Sequence, residues 1–337
     1  MAVFTEVSPD DARALLARLD VGKLVSLRGI TSGIENTNYF LDTDRGAWVL
    51  TIFERLTFDQ LPFYLELMRH LAQRGLPVPE PQAARADVGD TNAGPILHTM
   101  HGKPAALVNK LRGAHVLAPA ASHCGQLGFT LARLHQAGAG FAREQPNLRG
   151  LAWWEETVPL VRPFLGAAQD ELIADELAFQ QSTLRSAAAL ALPRGPIHAD
   201  LFRDNAMFEG DAGHERLTGV FDFYFAGVDA LLFDIAVCIN DWCIDLETGR
   251  LDEPRAAALL TAYEAVRPLD ANEHRLLPAY LRAAALRFWV SRLWDLHLPR
   301  DAKMLEPHDP AHFERVLRQR IEDPWHGTHG IHGTRRP

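Results

Sequence analysis

The residue pattern of this chain changes once, at residues 111–113, and that change limits the folds it can adopt. Before it, short stretches rich in β-branched and aromatic residues alternate with turn residues. After it, apolar residues recur at helical spacing over long segments. The pattern predicts an α+β protein of two lobes, residues 1–112 and 113–325, followed by a disordered tail at 326–337 that is rich in Gly, His and Arg.

The first lobe is predicted to be an antiparallel five-stranded sheet with one helix packed on it. Ser8, followed by Pro9 and Asp11, indicates a short helix before the sheet. The packed helix is predicted at about 58–74, where apolar residues recur at helical spacing and Gly75 ends the run. The predicted strands are 23–30, 36–42, 47–53, 96–101 and 105–110, with a turn at 102–103 between the last two.

The second lobe is predicted to be mostly helical, with one polar interruption. The predicted helices are 119–137, 152–165, 170–190, 253–266, 272–297 and 310–321, and a further helix start is indicated at 229–234. Residues 195–222 instead read as a loop, a short strand, a turn and a second short strand. A polar hairpin inside a helical lobe calls for a chemical explanation.

That hairpin carries the residue types that phosphoryl transfer needs: a base near the acceptor hydroxyl and oxygen ligands for Mg²⁺. Asp200 lies in a turn, where a carboxylate can deprotonate a hydroxyl. Asn205 offers an amide oxygen, and Asp222 follows the second strand, which a hairpin returns to the start of the first. Turn formers and a strand-end cap are the structural alternative, and His198 is expected to be structural.

Composition excludes several other classes of protein. A formal net charge of −9 argues against nucleic acid as the main partner. The N-terminus has no secretory pattern, and no apolar run is long enough for a membrane span. Three cysteines, Cys124, Cys238 and Cys243, without CxxC spacing indicate reduced thiols in the cytoplasm. None of these features bears on the oligomeric state.

Several segments resemble the aminoglycoside phosphotransferase and choline kinase superfamily, and within it the homoserine kinase branch. The motif similar to that of the superfamily is HADLFRDN at 198–205. The segments similar to the branch are GIENTNY at 33–39, VLTIFE at 49–54, GKPAALV at 102–108, GVFDFYF at 219–225, NDWC at 240–243 and LRFWVSRL at 286–293. The resemblance covers about residues 1–323 and implies a bilobal protein-kinase-like fold.

The resemblance also implies a reaction. ATP would donate its γ-phosphate to the side-chain hydroxyl of L-homoserine, giving O-phospho-L-homoserine for threonine synthesis. Carried over by position, Asp200 is the base, and Asn205 and Asp222 hold Mg²⁺.

The nucleotide is expected in the cleft where the lobes join. By the same resemblance, Val108 and Leu111 mark the adenine position. The turn residues Ser32, Gly33 and Asn36 would cover the phosphates.

One position departs from the kinase-like pattern. Such folds place Lys or Arg on the third strand, paired with a helix glutamate, whereas Thr51 occupies the matching position and Glu66 is the helix candidate. The missing phosphate donor is expected to be Arg55, Arg203 or the backbone amides around Gly33.

An amino-acid acceptor carries a carboxylate and an ammonium, so its pocket should hold charges of both signs. The candidates are Arg203, Asp241, Arg287 and Arg292, with Asp241 and Arg287 as the favoured pair. Surface salt bridges are the alternative explanation of these residues.

Two other functions fit the same fold. A kinase of choline, a sugar or an aminoglycoside would share the hairpin, although a choline pocket is an anionic aromatic cage with no need for arginine. A nucleotide-binding pseudokinase regulator is supported only by the missing cation at Thr51, and the set of Asp200, Asn205 and Asp222 opposes it.

Overall fold

The computed structural model describes residues 5–30, 36–85, 94–211, 213–298 and 308–327. These residues form two compact units. The first comprises the described residues up to Gly113 together with Thr218–Phe221, and the second comprises Ala114–Leu217 together with the residues from Asp222 onward. The tail predicted at 326–337 lies outside the described residues, apart from His326 and Gly327.

The first unit contains the predicted five-stranded antiparallel sheet, which is confirmed. Its strand order is β1-β2-β3-β5-β4. The elements are α1 (Pro9–Leu16), β1 (Leu24–Gly29), β2 (Asn36–Thr43), β3 (Gly46–Phe53), α2 (Pro62–Ala72), β4 (His98–Met100) and β5 (Lys103–Asn109). The predicted cap is present as well, since the Ser8 hydroxyl accepts the Asp11 N–H at 3.2 Å and the Asp11 carboxylate accepts the Ser8 N–H at 2.9 Å.

Alternation along the strands gives the sheet two faces. In β2 the odd-numbered residues from Thr37 to Thr43 are buried, whereas the even-numbered ones are half-buried. The buried face packs on α1 through a core that includes Leu15, Leu41 and Leu50. The opposite face carries Asn38 and Thr51, whose strands pair directly at those two positions.

The turn between the last two strands lies one residue earlier than predicted. His101 and Gly102 connect β4 to β5, and Lys103 already pairs with Met100. Both turn residues have positive φ, 50° and 76°, which matches the two-residue turn favoured by twisted hairpins.

The second unit is mostly helical, as predicted. Its helices are α3 (Ala121–Gly138), α4 (Leu151–Val161), α5 (Ala167–Leu184), α6 (Ala187–Leu190), α7 (Leu231–Trp242), α8 (Glu253–Glu264), α9 (Ala271–His297) and α10 (Ala311–Glu322). Within the described ranges, no helix has the length and apolar character needed to cross a bilayer.

Two predicted helices end differently in the structure. The helix predicted at 152–165 ends at Val161 and is followed by a single 3₁₀ turn, Arg162–Phe164, which contains Pro163. The helix predicted at 170–190 is two helices, since the Ser186 hydroxyl accepts the Ala189 N–H and starts α6.

Residues 194–230 contain four strands, whereas the sequence predicts two within residues 195–222. The predicted hairpin is β7 (Ala206–Glu209) and β8 (Arg216–Val220), and a second pair is formed by β6 (Arg194–Ile197) and β9 (Gly227–Ala230). The strands of that second pair lie on either side of the predicted hairpin, so no turn between neighbouring strands marks the pair in the sequence.

Helices α3 and α8 pack closely at Gly128. A Cβ atom there would lie 2.1 Å from the Leu259 carbonyl oxygen, whereas a Cβ atom at Gly125 would have its nearest neighbour at 3.7 Å. We expect Gly128→Ala to lower the free energy of unfolding by about 1–3 kcal/mol, because the helices must separate. Gly125→Ala, the matched control on the same helix, should raise it by up to about 1 kcal/mol through helix propensity. Urea unfolding measures both, and equal stability of the two variants would contradict the prediction.

Candidate active site

The segment that joins β6 to β7, residues 198–205, is anchored by a buried carboxylate on α7. Asp234 Oδ2 accepts the His198 N–H at 2.7 Å, and Oδ1 accepts the Ala199 N–H at 2.7 Å. His135 Nε2 lies 3.2 Å from Oδ2. Burial would raise the pKa of Asp234, but the hydrogen bonds from His135 and the His198 amide hold this pKa below its ordinary value. The anchor is therefore an ionised carboxylate.

Backbone conformation turns Asp200 away from this anchor. Ala199 has φ = 63°, in the left-handed region that residues with a Cβ rarely adopt. The backbone N–H groups of His198 and Ala199 can thus both donate to the carboxylate of Asp234. The ring of His198 accepts the Asp200 N–H through Nδ1 at 3.3 Å, a contact that helps to fix the segment.

The structure brings Asp200 next to Asn205. The Asn205 amide nitrogen donates to the Asp200 carbonyl oxygen at 2.8 Å and lies 3.4 Å from its carboxylate. The amide oxygen of Asn205 is thereby left as the end that can face a cation. Burial raises the pKa of Asp200 to about 8, opposed by Arg287 and reinforced by the negative charge of Asp222.

Asp222 completes this group two residues after β8. Its φ of 65° also lies in the left-handed region, and a short 3₁₀ turn, Phe223–Phe225, follows at once. Unusual backbone conformations of this kind concentrate at functional sites. The three residues that the sequence assigned to catalysis and metal binding all belong to the second unit.

The donors around Asp200 fit a magnesium ion that is shared with a phosphate ligand. Within the described ranges, no group of three or more His, Cys, Asp or Glu side chains could hold a metal alone. Mg²⁺ in nucleotide sites is usually held by one or two carboxylates, with water and phosphate oxygens completing the octahedron. Asn205 and Asp222 supply a donor set of this size.

The acceptor residues predicted from sequence fall into different environments. Arg203 and Asp241 bind each other: the Asp241 carboxylate accepts the Arg203 N–H at 2.8 Å and its Nε–H at 3.1 Å. Asp241 is therefore not paired with Arg287, its favoured partner from sequence. Arg287 lies instead beside Asp200, with 3.5 Å between Nη1 and Oδ1. Arg292 donates from Nη1 to the Asp309 carbonyl oxygen at 3.0 Å.

The predicted nucleotide residues belong to the first unit, except for Ser32 and Gly33, which lie outside the described residues. Asn36 is the first residue of β2. Val108 lies on β5, where it pairs with Val49 of β3. By strand alternation, both lie on the face that carries Thr51. Leu111 follows β5 and packs so closely on Gly219 that a Cβ there would lie 2.6 Å from its Cδ1.

Thr51 has no positive charge to offer, and its hydroxyl donates to Asn38 Oδ1 at 2.7 Å. An ion pair that the sequence did not reveal, Lys103 with Glu54, lies on the opposite face of the sheet. Thr37 donates to Glu54 Oε1 at 2.6 Å, and Lys103 donates to the Thr5 hydroxyl at 2.9 Å. Because of its face, this lysine does not replace a cation at position 51.

Comparison with known sequences gives closely similar proteins. A family model described as the phosphotransferase enzyme family matches residues 26–269. A homoserine kinase from Polaromonas naphthalenivorans (strain CJ2) is 62% identical over 325 residues, which cover 96% of this chain and 99% of that protein. A homoserine kinase from Janthinobacterium sp. (strain Marseille) is 56% identical, covering 96% of this chain and 97% of that protein.

Solved structures of low sequence identity share the fold. An amicoumacin kinase in complex with AMP-PNP, Ca²⁺ and Ami has a TM-score of 0.66 at 15% identity, covering 96% of this chain and 97% of its own. An ethanolamine kinase from Plasmodium vivax has a TM-score of 0.58 at 11% identity, covering 95% of each chain. These likenesses establish the kinase-like architecture and nothing about the acceptor.

Proposed function

Because this chain belongs to the phosphotransferase enzyme family and, within it, to the homoserine kinases, we propose that it transfers the γ-phosphoryl group of ATP to the side-chain hydroxyl of L-homoserine. The observation that carries the proposal is the grouping of Asp200, Asn205 and Asp222 in a chain that resembles homoserine kinases over nearly its full length. ATP and L-homoserine are the two substrates, and a cytoplasmic location remains part of the proposal.

Asp200 acts as the base in this reaction. The hydroxyl oxygen of homoserine forms a bond to the γ-phosphorus as the bond from that phosphorus to the ADP oxygen breaks, and Asp200 takes the hydroxyl proton. A carboxylate whose pKa burial raises to about 8 binds a proton more readily than an exposed aspartate does. Arg287, which lowers this pKa, favours the ionised form that accepts the proton.

Asn205 and Asp222 would hold Mg²⁺, which neutralises the phosphate charge when bound. The negative charges that face one another around Asp200 support a cation in this place. Burial raises the pKa of Asp200, and the negative charges of Asp222, Asp204 and Asp241 raise it further, whereas Arg287 lowers it.

The nucleotide residues remain as proposed from sequence: Ser32, Gly33 and Asn36 toward the phosphates, and Val108 and Leu111 toward the adenine. Of the proposed phosphate donors, Arg203 already forms an ion pair with Asp241. Arg55, which is exposed, and the amides around Gly33 remain candidates.

The acceptor side of the site favours homoserine over choline. Arg287 is a buried cation beside Asp200, and a quaternary ammonium would be repelled by it. An α-amino acid, whose carboxylate matches that charge, is accommodated better.

An acceptor panel tests the proposal. We expect purified protein with Mg·ATP to release ADP with L-homoserine at about 1–100 per second, the usual range for kinases. Choline, ethanolamine, glucose and kanamycin should be far poorer acceptors, and phosphorus NMR should identify the product as a phosphate monoester. Turnover with another acceptor but none with homoserine would refute the assignment, and no turnover with any acceptor despite Mg·ATP binding would favour the pseudokinase.

A further inference from the structure

Arg287 lies in α9 with only 3% of its surface exposed, directly beside the proposed base. Its Nη1 is 3.5 Å from Asp200 Oδ1, which is a charge contact rather than a short hydrogen bond. The guanidinium carbon lies 3.7 Å from the ring centroid of Phe288 and 5.1 Å from that of Phe225. Two aromatic rings and one carboxylate thus fix the orientation of this side chain.

The other edge of the guanidinium makes no hydrogen bond within the part of the chain that the structure describes. Nε and Nη2 of Arg287 are buried and have no hydrogen-bond partner among the described residues. Leaving a buried charged donor unpaired costs free energy, so such groups are normally satisfied by a ligand when they are retained. Nε and Nη2 together form the planar fork that binds a carboxylate through two parallel hydrogen bonds.

Among the described residues, neither of the other two arginine candidates has a pair of buried donors left without a partner. Arg203 donates from Nε to Asp241, from Nη1 to the Leu117 carbonyl oxygen at 3.0 Å and from Nη2 to the Asp241 carbonyl oxygen. Arg292 donates to the Asp309 carbonyl oxygen and lies over the ring of Phe313, with 4.5 Å to its centroid.

We infer that the Nε and Nη2 edge of Arg287 binds the carboxylate of the acceptor while Nη1 stays beside Asp200. This inference rests on the proposed function and states how the site recognises its acceptor. One rigid group then contacts both the base and the far end of the substrate. It therefore selects hydroxy acids whose hydroxyl lies at the right distance from the carboxylate, as in homoserine, over the shorter serine.

The same fork could bind a second anion in a kinase, a phosphate of ATP. The two sources of anion are separated by steady-state kinetics, because loss of a carboxylate contact raises KM for homoserine and loss of a phosphate contact raises KM for ATP.

The test compares homoserine with 3-aminopropan-1-ol, which has the same hydroxyl and ammonium but no carboxylate. In Arg287→Met we expect kcat/KM for homoserine to fall about 100-fold, with KM for ATP unchanged. The value for 3-aminopropan-1-ol, or its inhibition constant against homoserine if it is not turned over, should change much less, because that acceptor loses no carboxylate contact and is subject only to the effect of Arg287 on Asp200. Arg287→Lys keeps the charge without the fork and should recover only part of the loss.

Two controls keep the result specific. Arg275→Met removes an exposed arginine from the same helix and should leave both acceptors unaffected. Any effect of Arg287 on the position or charge of Asp200 changes kcat/KM for both acceptors equally. It therefore cancels in the ratio of the two kcat/KM values. An unchanged preference for homoserine in a folded Arg287→Met protein, or a raised KM for ATP instead, would overturn the inference. Failure of the wild-type protein to phosphorylate homoserine would instead refute the proposed function.

Discussion

Replacing Asp200 by Asn is expected to lower kcat for homoserine phosphorylation by about 10²–10⁴-fold, the usual contribution of a positioned base. Asn has nearly the same shape, so the hydrogen bond from the Asn205 amide to the backbone carbonyl at this position should persist. It cannot accept the hydroxyl proton in the transition state. ATP affinity should change little, because the base acts on the acceptor. Coupled measurement of ADP release gives kcat, and calorimetry with a non-hydrolysable nucleotide gives the affinity.

Asp204→Asn is the matched control for this experiment. It removes the same charge from the same segment, but the Asp204 side chain is exposed. Its kcat should remain within a few-fold of the wild-type value. A similar loss in the two variants would indicate a general electrostatic effect of the segment, and the role of Asp200 as base would have to be abandoned.

Replacing Asp234 by Asn is expected to lower the free energy of unfolding by about 3 kcal/mol. Both carboxylate oxygens accept backbone N–H groups at 2.7 Å, from His198 and from Ala199. An amide presents one NH₂ group to one of those donors, so a charged hydrogen bond becomes a contact between two donors. Chemical unfolding at neutral pH measures the loss. The catalytic rate should fall too, since the anchored segment carries Asp200.

The pH dependence of the same variant gives an independent check. The pKa of Asp234 is held below its ordinary value in the folded protein, so its contribution is present at neutral pH. It should be lost as the pH falls below about 3.9, the ordinary aspartate pKa, and through the folded-state value. The difference between wild type and variant should therefore shrink in acid. Asp175→Asn, an exposed change on α5, serves as the control, and equal stability of both variants would show that Asp234 is not an anchor.

Local periodicity was sufficient to predict most of the fold. The five-stranded sheet, the long helices and the hairpin β7–β8 each have a residue pattern that matches one secondary structure. Helix α7 has no such pattern, because all twelve of its residues are buried and no polar face marks the helical period. Residues 229–234 indicate where this helix starts, but nothing in the sequence indicates where it ends.

The candidate site was predictable in its residue types but not in their pairing. Spacing in the chain indicated that Asp200, Asn205 and Asp222 act together. Nothing in the sequence shows that Asp241 binds Arg203 rather than Arg287, since that choice depends on how α7 and α9 lie beside segment 198–205. The left-handed conformations of Ala199 and Asp222 were also unpredictable, because residues with a Cβ adopt them only under tertiary constraint.

The division of the chain into units has a consequence for gene dissection. Asn205 and Asp222 belong to the second unit, but the chain between them contributes Thr218–Phe221 to the first, where the Val220 N–H donates to the Pro77 carbonyl oxygen at 2.8 Å. No single cut therefore yields two complete halves. A fragment that ends at Gly113 lacks Thr218–Phe221, four residues of the first unit. A fragment that begins after Gly113 contains these four residues but not the rest of the first unit, against which they pack. Exchange of lobes between related enzymes would have to move two separate stretches of coding sequence together.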